Sequence, residues 1–126
     1  MGKSAMEKIK SFRDLRIWNI GMDLVEDIYT VTKSFPKEEL FGLTSQMRRC
    51  AVSIPSNIAE GFVRFHKKEY KNFLSIAWGS CAELETQIEI ASRLKYLDIQ
   101  KTEALIKKVV YIARMIAVLN RKLTER

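Results

Sequence analysis

Apolar residues recur along this chain at steps of three and four, the spacing that gathers them on one face of an α-helix. One such series, Leu43, Met47, Cys50, Ile54, Ile58 and Phe62, runs straight past Pro55. A proline inside a helix removes a backbone donor and crowds the carbonyl four residues back, at about 3 kcal/mol. Opposite the apolar series lies an equally regular polar one: Gln46, Arg49, Ser53, Asn57, Glu60 and Arg64. The pattern predicts a helix from about Leu40 to Phe62, kinked at Pro55, with a polar stripe whose members are partly buried and hydrogen-bonded to one another. The acids of Lys37-Glu38-Glu39 fall at its start, where the helix dipole favours them.

The same periods predict three more helices. The first begins near Phe12 to Leu15 and ends before Pro36, with Leu15, Trp18, Met22, Val25 and Tyr29 on one stripe and Ile17, Leu24, Ile28 and Val31 on another. The third runs from about Lys67 to Tyr96, and its Tyr70, Leu74, Ala77, Cys81, Leu84, Ile88 and Ala91 form a heptad seam suited to bundle packing. Asp98 is placed to cap a fourth helix reaching about Leu123, whose seam is Leu105, Val109, Ile112, Ile116, Leu119 and Leu123. Short connections make sequential helices antiparallel neighbours. The expected fold is therefore all-α, an up-and-down antiparallel four-helix bundle. One domain over residues 1–126 is expected, with 1–11 a poorly ordered N-terminal extension.

Composition narrows the class. The shares of 47% hydrophobic and 29% charged residues are those of a globular chain. No apolar run approaches the roughly 20 residues that span a bilayer, and the start lacks the apolar core of a secretion signal. A cytoplasmic protein without a membrane partner is expected. Cys50 and Cys81 both fall on apolar stripes and read as small core residues. With one histidine, His66, beside Arg64, Lys67 and Lys68, they offer no metal-ligand spacing. Glu83, Glu85 and Glu89 have no nucleophile or ligand cluster beside them, so they read as a solvated face or a partner for bases on another subunit. Neither a metal, a cofactor nor an enzymatic activity is expected.

The bundle has apolar residues to spare. Phe73, Ile76, Trp78 and Ile90 lie off the third helix's seam, and Phe62 and Phe65 flank the junction after the second helix. A subunit interface would bury them, so Phe62, Phe65, Phe73, Ile76 and Trp78 are candidate contacts between copies. Ala77, Gly79 and Ser80 would let a neighbouring helix approach closely.

Charge adds a possible ligand. Lys and Arg number 22 against 15 Asp and Glu, a formal net charge of +7. Lys107, Arg114 and Arg121 recur every seven residues, with Lys101, Lys108 and Lys122 on the adjoining track, which predicts a basic stripe along the fourth helix. Arg64, Lys67, Lys68 and Lys71 form a second patch. Such tracks attract phosphates with a steep salt dependence, although basic helix faces often serve solubility alone. No zinc-finger spacing, RNP-type strand motif or basic zipper region is present, so binding by shape and charge is expected rather than base reading.

Several motifs point to one family. Phe12-Arg13-Asp14-Leu15 with Trp18, Ser34-Phe35-Pro36, Gln46-Met47-Arg48-Arg49, the run from Ser53 to Gly61, Ala77-Trp78-Gly79-Ser80 and Glu83-Leu84-Glu85-Thr86-Gln87 occur in order. Over roughly residues 12 to 120 the chain resembles the bacterial four-helix-bundle proteins named after the intervening sequences of 23S ribosomal RNA genes. The resemblance implies an up-and-down bundle assembled as a ring of five, without a known enzymatic activity. A related branch, the accessory protein of diversity-generating retroelements, is a basic pentamer that works with a reverse transcriptase and RNA. The sequence thus leads to a basic homopentameric scaffold for RNA or DNA, or for a nucleic-acid enzyme such as a reverse transcriptase. The alternative is an oligomer that binds only protein.

Overall fold

The computed structural model describes residues 9–125. Four helices, α1 (Arg16–Thr32), α2 (Leu43–Phe62), α3 (Lys67–Arg93) and α4 (Ile99–Thr124), pack each against its sequence neighbours, and α1 closes the bundle against α4. The topology is up-and-down and antiparallel. The described residues contain no strand.

Local chemistry sets each boundary. Ser11 and Asp14 form a reciprocal capping box on a 3₁₀ turn at Phe12–Asp14, so Ser11, counted within the N-terminal extension, is fixed in place. Residues 1–8 of that extension lie outside the described residues. Extended backbone at Leu15 delays α1 to Arg16. A second 3₁₀ turn at Lys37–Glu39 delays α2 to Leu43, and Glu39 Oε1 then accepts from the Leu43 N–H at 3.0 Å. The acids expected at the start of this helix thus act through one side-chain cap. The expected run of α3 to Tyr96 stops at Arg93, because Lys95 turns into the left-handed region at φ 68° and the Tyr96 N–H returns to the Ala91 carbonyl at 2.9 Å. Asp98 caps α4 as expected, accepting from the Lys101 N–H at 2.7 Å.

The core follows the sequence seams closely on α3 and α4. Leu74, Ala77, Cys81, Leu84, Ile88 and Ala91 meet Leu105, Val109, Ile112 and Ile116, all buried. On α1 the two stripes separate: Ile17, Leu24 and Ile28 are buried, whereas Met22 and Tyr29 are exposed.

Helix α2 continues through Pro55, whose ring is buried. A Cβ added at Gly21 of α1 would lie 3.4 Å from Pro55 Cβ, so the two helices pass closely there. That packing offsets part of the proline's cost, and its signal was a lone glycine amid the apolar residues of α1. Near the other end of α2, a Cβ on Gly61 would come within 2.9 Å of Phe73 Cβ, so glycine is what lets α3 approach.

Candidate nucleic-acid interface

The polar stripe of α2 is several local arrangements rather than one network. Ser53 Oγ donates to the Cys50 carbonyl at 2.7 Å and lies 2.7 Å from Ser80 Oγ of α3, while Asn57 Nδ2 donates back to the Ser53 carbonyl at 2.7 Å. These two side chains are half-buried against α3. Glu60 and Arg64 pair with each other at 2.7 Å, one helical turn apart, with 52% and 39% of their side chains exposed. Gln46 and Arg49 face solvent. The expectation of a partly buried, mutually hydrogen-bonded stripe holds only in part: Ser53 and Asn57 are half-buried and bonded, but Arg49, Glu60 and Arg64 are exposed on the outer side of α2, and no bond joins the Glu60–Arg64 pair to the rest. Glu60→Ala should accordingly cost only about 0.3–0.5 kcal/mol, as exposed pairs at this spacing do. Thermal unfolding with an almost unchanged midpoint is the expected result.

Both cysteines are free and buried. Burial, foremost, pushes each thiol up to about 12, with Glu83 adding to the effect at Cys50 and Glu85 at Cys81. Cys50 Sγ donates to the Ser80 carbonyl at 3.1 Å. Such thiols stay protonated and unreactive near neutral pH.

Along α4 the basic stripe divides between two grooves. Lys107, Lys108 and Arg114 line a groove against α1, together with Ile20, Asp23 and Tyr111. Lys108 forms an ion pair with Asp27 of α1, and Arg16 lies over the Tyr111 ring at 5.8 Å. Lys101 sits near that pair, beside Asp27 and Thr30. Acids of α1 therefore offset this half of the stripe, which its own helix's sequence did not reveal.

Arg121 turns instead to the groove between α3 and α4, with Trp78, Ser75, Asn120 and Thr124. The next hollow toward the end of the bundle is lined by Lys67, Lys68, Lys71, Asn72, Leu123 and Thr124. Asn120 Nδ2 donates to the Lys71 carbonyl at 3.1 Å and ties the two helices together here. Antiparallel packing thus brings two patches that are distant in sequence to one end. Among the described residues, Lys67, Lys68, Lys71, Arg121 and Lys122 form no ion pair.

The apolar interface candidates scatter. Phe62 stands edge-on to Tyr70, and Phe73 lies half-buried beneath Arg64, whose guanidinium is 4.8 Å from the ring centre. Ile76 and Trp78 are exposed, and two positions on a helix separate them by about 200°. Phe65 is almost wholly exposed in the α2–α3 junction. Sequence periodicity singled out neither Leu40 nor Phe41, yet Phe41 is 94% exposed. With Tyr29, Arg48, Arg49 and Val52 they line a groove between α1 and the start of α2. Arg48 is held there by Thr32 Oγ1 at 2.9 Å and by the Tyr29 ring at 4.6 Å. The described residues contain no His, Cys, Asp or Glu group able to hold a metal ion, and no helix is long and apolar enough to cross a membrane.

Fold and surface together define an antiparallel four-helix bundle with one cluster of unpaired cations, Lys67, Lys68 and Lys71, near the end of α4. Residues 13–118 match the model of the 23S rRNA-intervening sequence protein family, and the chain belongs to that family. The fold is also that of a crystal structure from Bacteroides thetaiotaomicron VPI-5482, described as a protein with unknown function from the S23 ribosomal protein family. The TM-score is 0.78 at 21% identity, over 83% of this chain and 95% of that one. No curated protein matches the chain.

Proposed function

We propose that this protein is a cytoplasmic, non-enzymatic scaffold, a ring of five copies that binds RNA or DNA through its basic end. The observation that carries this reading is the cluster of Lys67, Lys68 and Lys71 against the end of α4, next to the groove that Arg121 lines, none of these four paired with an acid among the described residues. Cations left free in one place gain most from phosphates, because each contact releases condensed counterions. A fivefold ring would repeat the patch around its axis. Lys107, Lys108 and Arg114 contribute less, since Asp23 lines their groove and Lys108 is paired with Asp27. A nucleic-acid enzyme such as a reverse transcriptase could be brought to the same nucleic acid. A purely protein-binding oligomer is the second reading, favoured by the apolar groove around Phe41.

Titration of a labelled RNA hairpin at increasing salt tests the proposal. Replacing Lys68, Lys71 and Arg121 together with glutamine preserves helix propensity. The slope of log affinity against log salt should become shallower by roughly 2 to 3, at about 0.7–0.9 per lost contact. The same change at Lys107 and Lys108 should have a smaller effect. Failure of the wild type to bind near physiological salt, where non-specific binders reach roughly 10⁻⁴–10⁻⁶ M, would leave the protein-binding reading.

A further inference from the structure

The α3–α4 groove pairs its basic end with an exposed aromatic ring. From this we infer that the groove binds single-stranded nucleic acid, with a base stacked on Trp78 and the backbone following Arg121, Lys71, Lys68 and Lys67. The inference rests on the nucleic-acid reading above and specifies the form of ligand and the residue that selects it. Trp78 is 56% exposed and shares its groove with Arg121 and Ser75. Four other rings carry an arginine: Arg13 lies over Phe12, Arg16 over Tyr111, Arg48 over Tyr29 and Arg64 over Phe73, at 4.6 to 5.8 Å, whereas Phe41 and Phe65 stand open outside this groove. Trp78 has no arginine or aromatic ring stacked on it among the described residues, although Arg121 lines the same groove. Its indole face is available, with a cation beside it rather than on it.

The groove also has a direction. Lys67, Lys71 and Trp78 recur at steps of four and seven, along one side of α3. Continuing that side brings Glu85 and Glu89, which repel phosphate and end the track just past the indole. From Lys67 to Trp78 the helix rises roughly 17 Å at about 1.5 Å per residue, the length of about five stacked nucleotides at about 3.4 Å each. Bases locked in a duplex cannot present a face to an indole, whereas those of a single strand can, and stacking tolerates any sequence.

The test uses the full chain with Trp18→Phe, which keeps a ring against Phe12 and leaves Trp78 as the sole indole. Adding a twelve-nucleotide oligo(U) should quench its fluorescence, and a duplex of equal length should quench it far less. Trp78→Ala should weaken single-strand binding roughly 5- to 150-fold, the range that loss of one stacked base gives. Trp78→Phe should recover most of that loss, duplex affinity should be unchanged, and the sedimentation coefficient should stay that of wild type. Salt-dependent binding that Trp78→Ala leaves intact, or weakens equally for both ligands, overturns the stacking site while the basic scaffold stands. A changed oligomer mass in Trp78→Ala overturns it too, by placing the indole between subunits. No binding of any nucleic acid by the wild type removes both readings.

Discussion

Leu84→Ala should lower the free energy of unfolding by about 2–5 kcal/mol, the largest loss expected from any single truncation considered for this fold. Leu84 is completely buried on the α3 seam, within the cluster that holds Ile54, Ile58, Ile88 and Val109. Removing its branched end forfeits the transfer energy of those carbons and leaves a space that rigid helices on several sides cannot fill. Urea unfolding at one fixed protein concentration measures it, since association would otherwise shift the midpoint. Leu94→Ala gives the contrast: its side chain is exposed near the end of α3, so a change within about 0.5 kcal/mol is expected. Equal losses at the two positions would mean that the surface of α3 is covered as fully as its core.

The bundle was legible in the sequence because every helix carries its own record of which side is inside. Heptad spacing located Leu74 to Ala91 and Leu105 to Ile116 without reference to any other helix. The boundaries missed by a few residues are those fixed by single backbone events, such as the left-handed turn at Lys95 and the Glu39 side chain capping Leu43. The candidate site was less legible, because it depends on what lies across a helix pair. Lys108 looked as free as Lys122 until Asp27 of α1 was placed beside it. Glu60 and Arg64 belong to a regular polar series, but periodicity cannot separate a stripe packed against a neighbour from one turned to water. Ile76 and Trp78 are close in sequence, and the rotation of the helix sends them to different sides.

The same rotation bears on how the proposed ring of five would assemble. Ile76, Gly79, Glu83 and Ile90 form one outward stripe on α3, away from the Trp78 groove. A Cβ at Gly79 would meet nothing within 4 Å, so the close approach its neighbourhood suggested is not made inside the bundle. Glycine in a helix interior costs about 1 kcal/mol relative to alanine, a cost that a second copy lying against it would offset. The α1–α2 groove offers a complementary face, with apolar Tyr29, Leu40, Phe41 and Val52 around the exposed cation Arg49. Two different, complementary patches on one chain make a head-to-tail contact, and such contacts generate a closed ring when the rotation between copies is right. For the ring of five that the family resemblance implies, sedimentation of the wild type at micromolar concentration should give about five times the 14.6 kDa of one chain. Phe41→Glu or Ile76→Glu places a charge where the monomer is open to water, so the helix content should persist while the mass falls to that of a single chain. Either variant remaining assembled would move the interface elsewhere, and a wild-type monomer at that concentration would end the ring altogether.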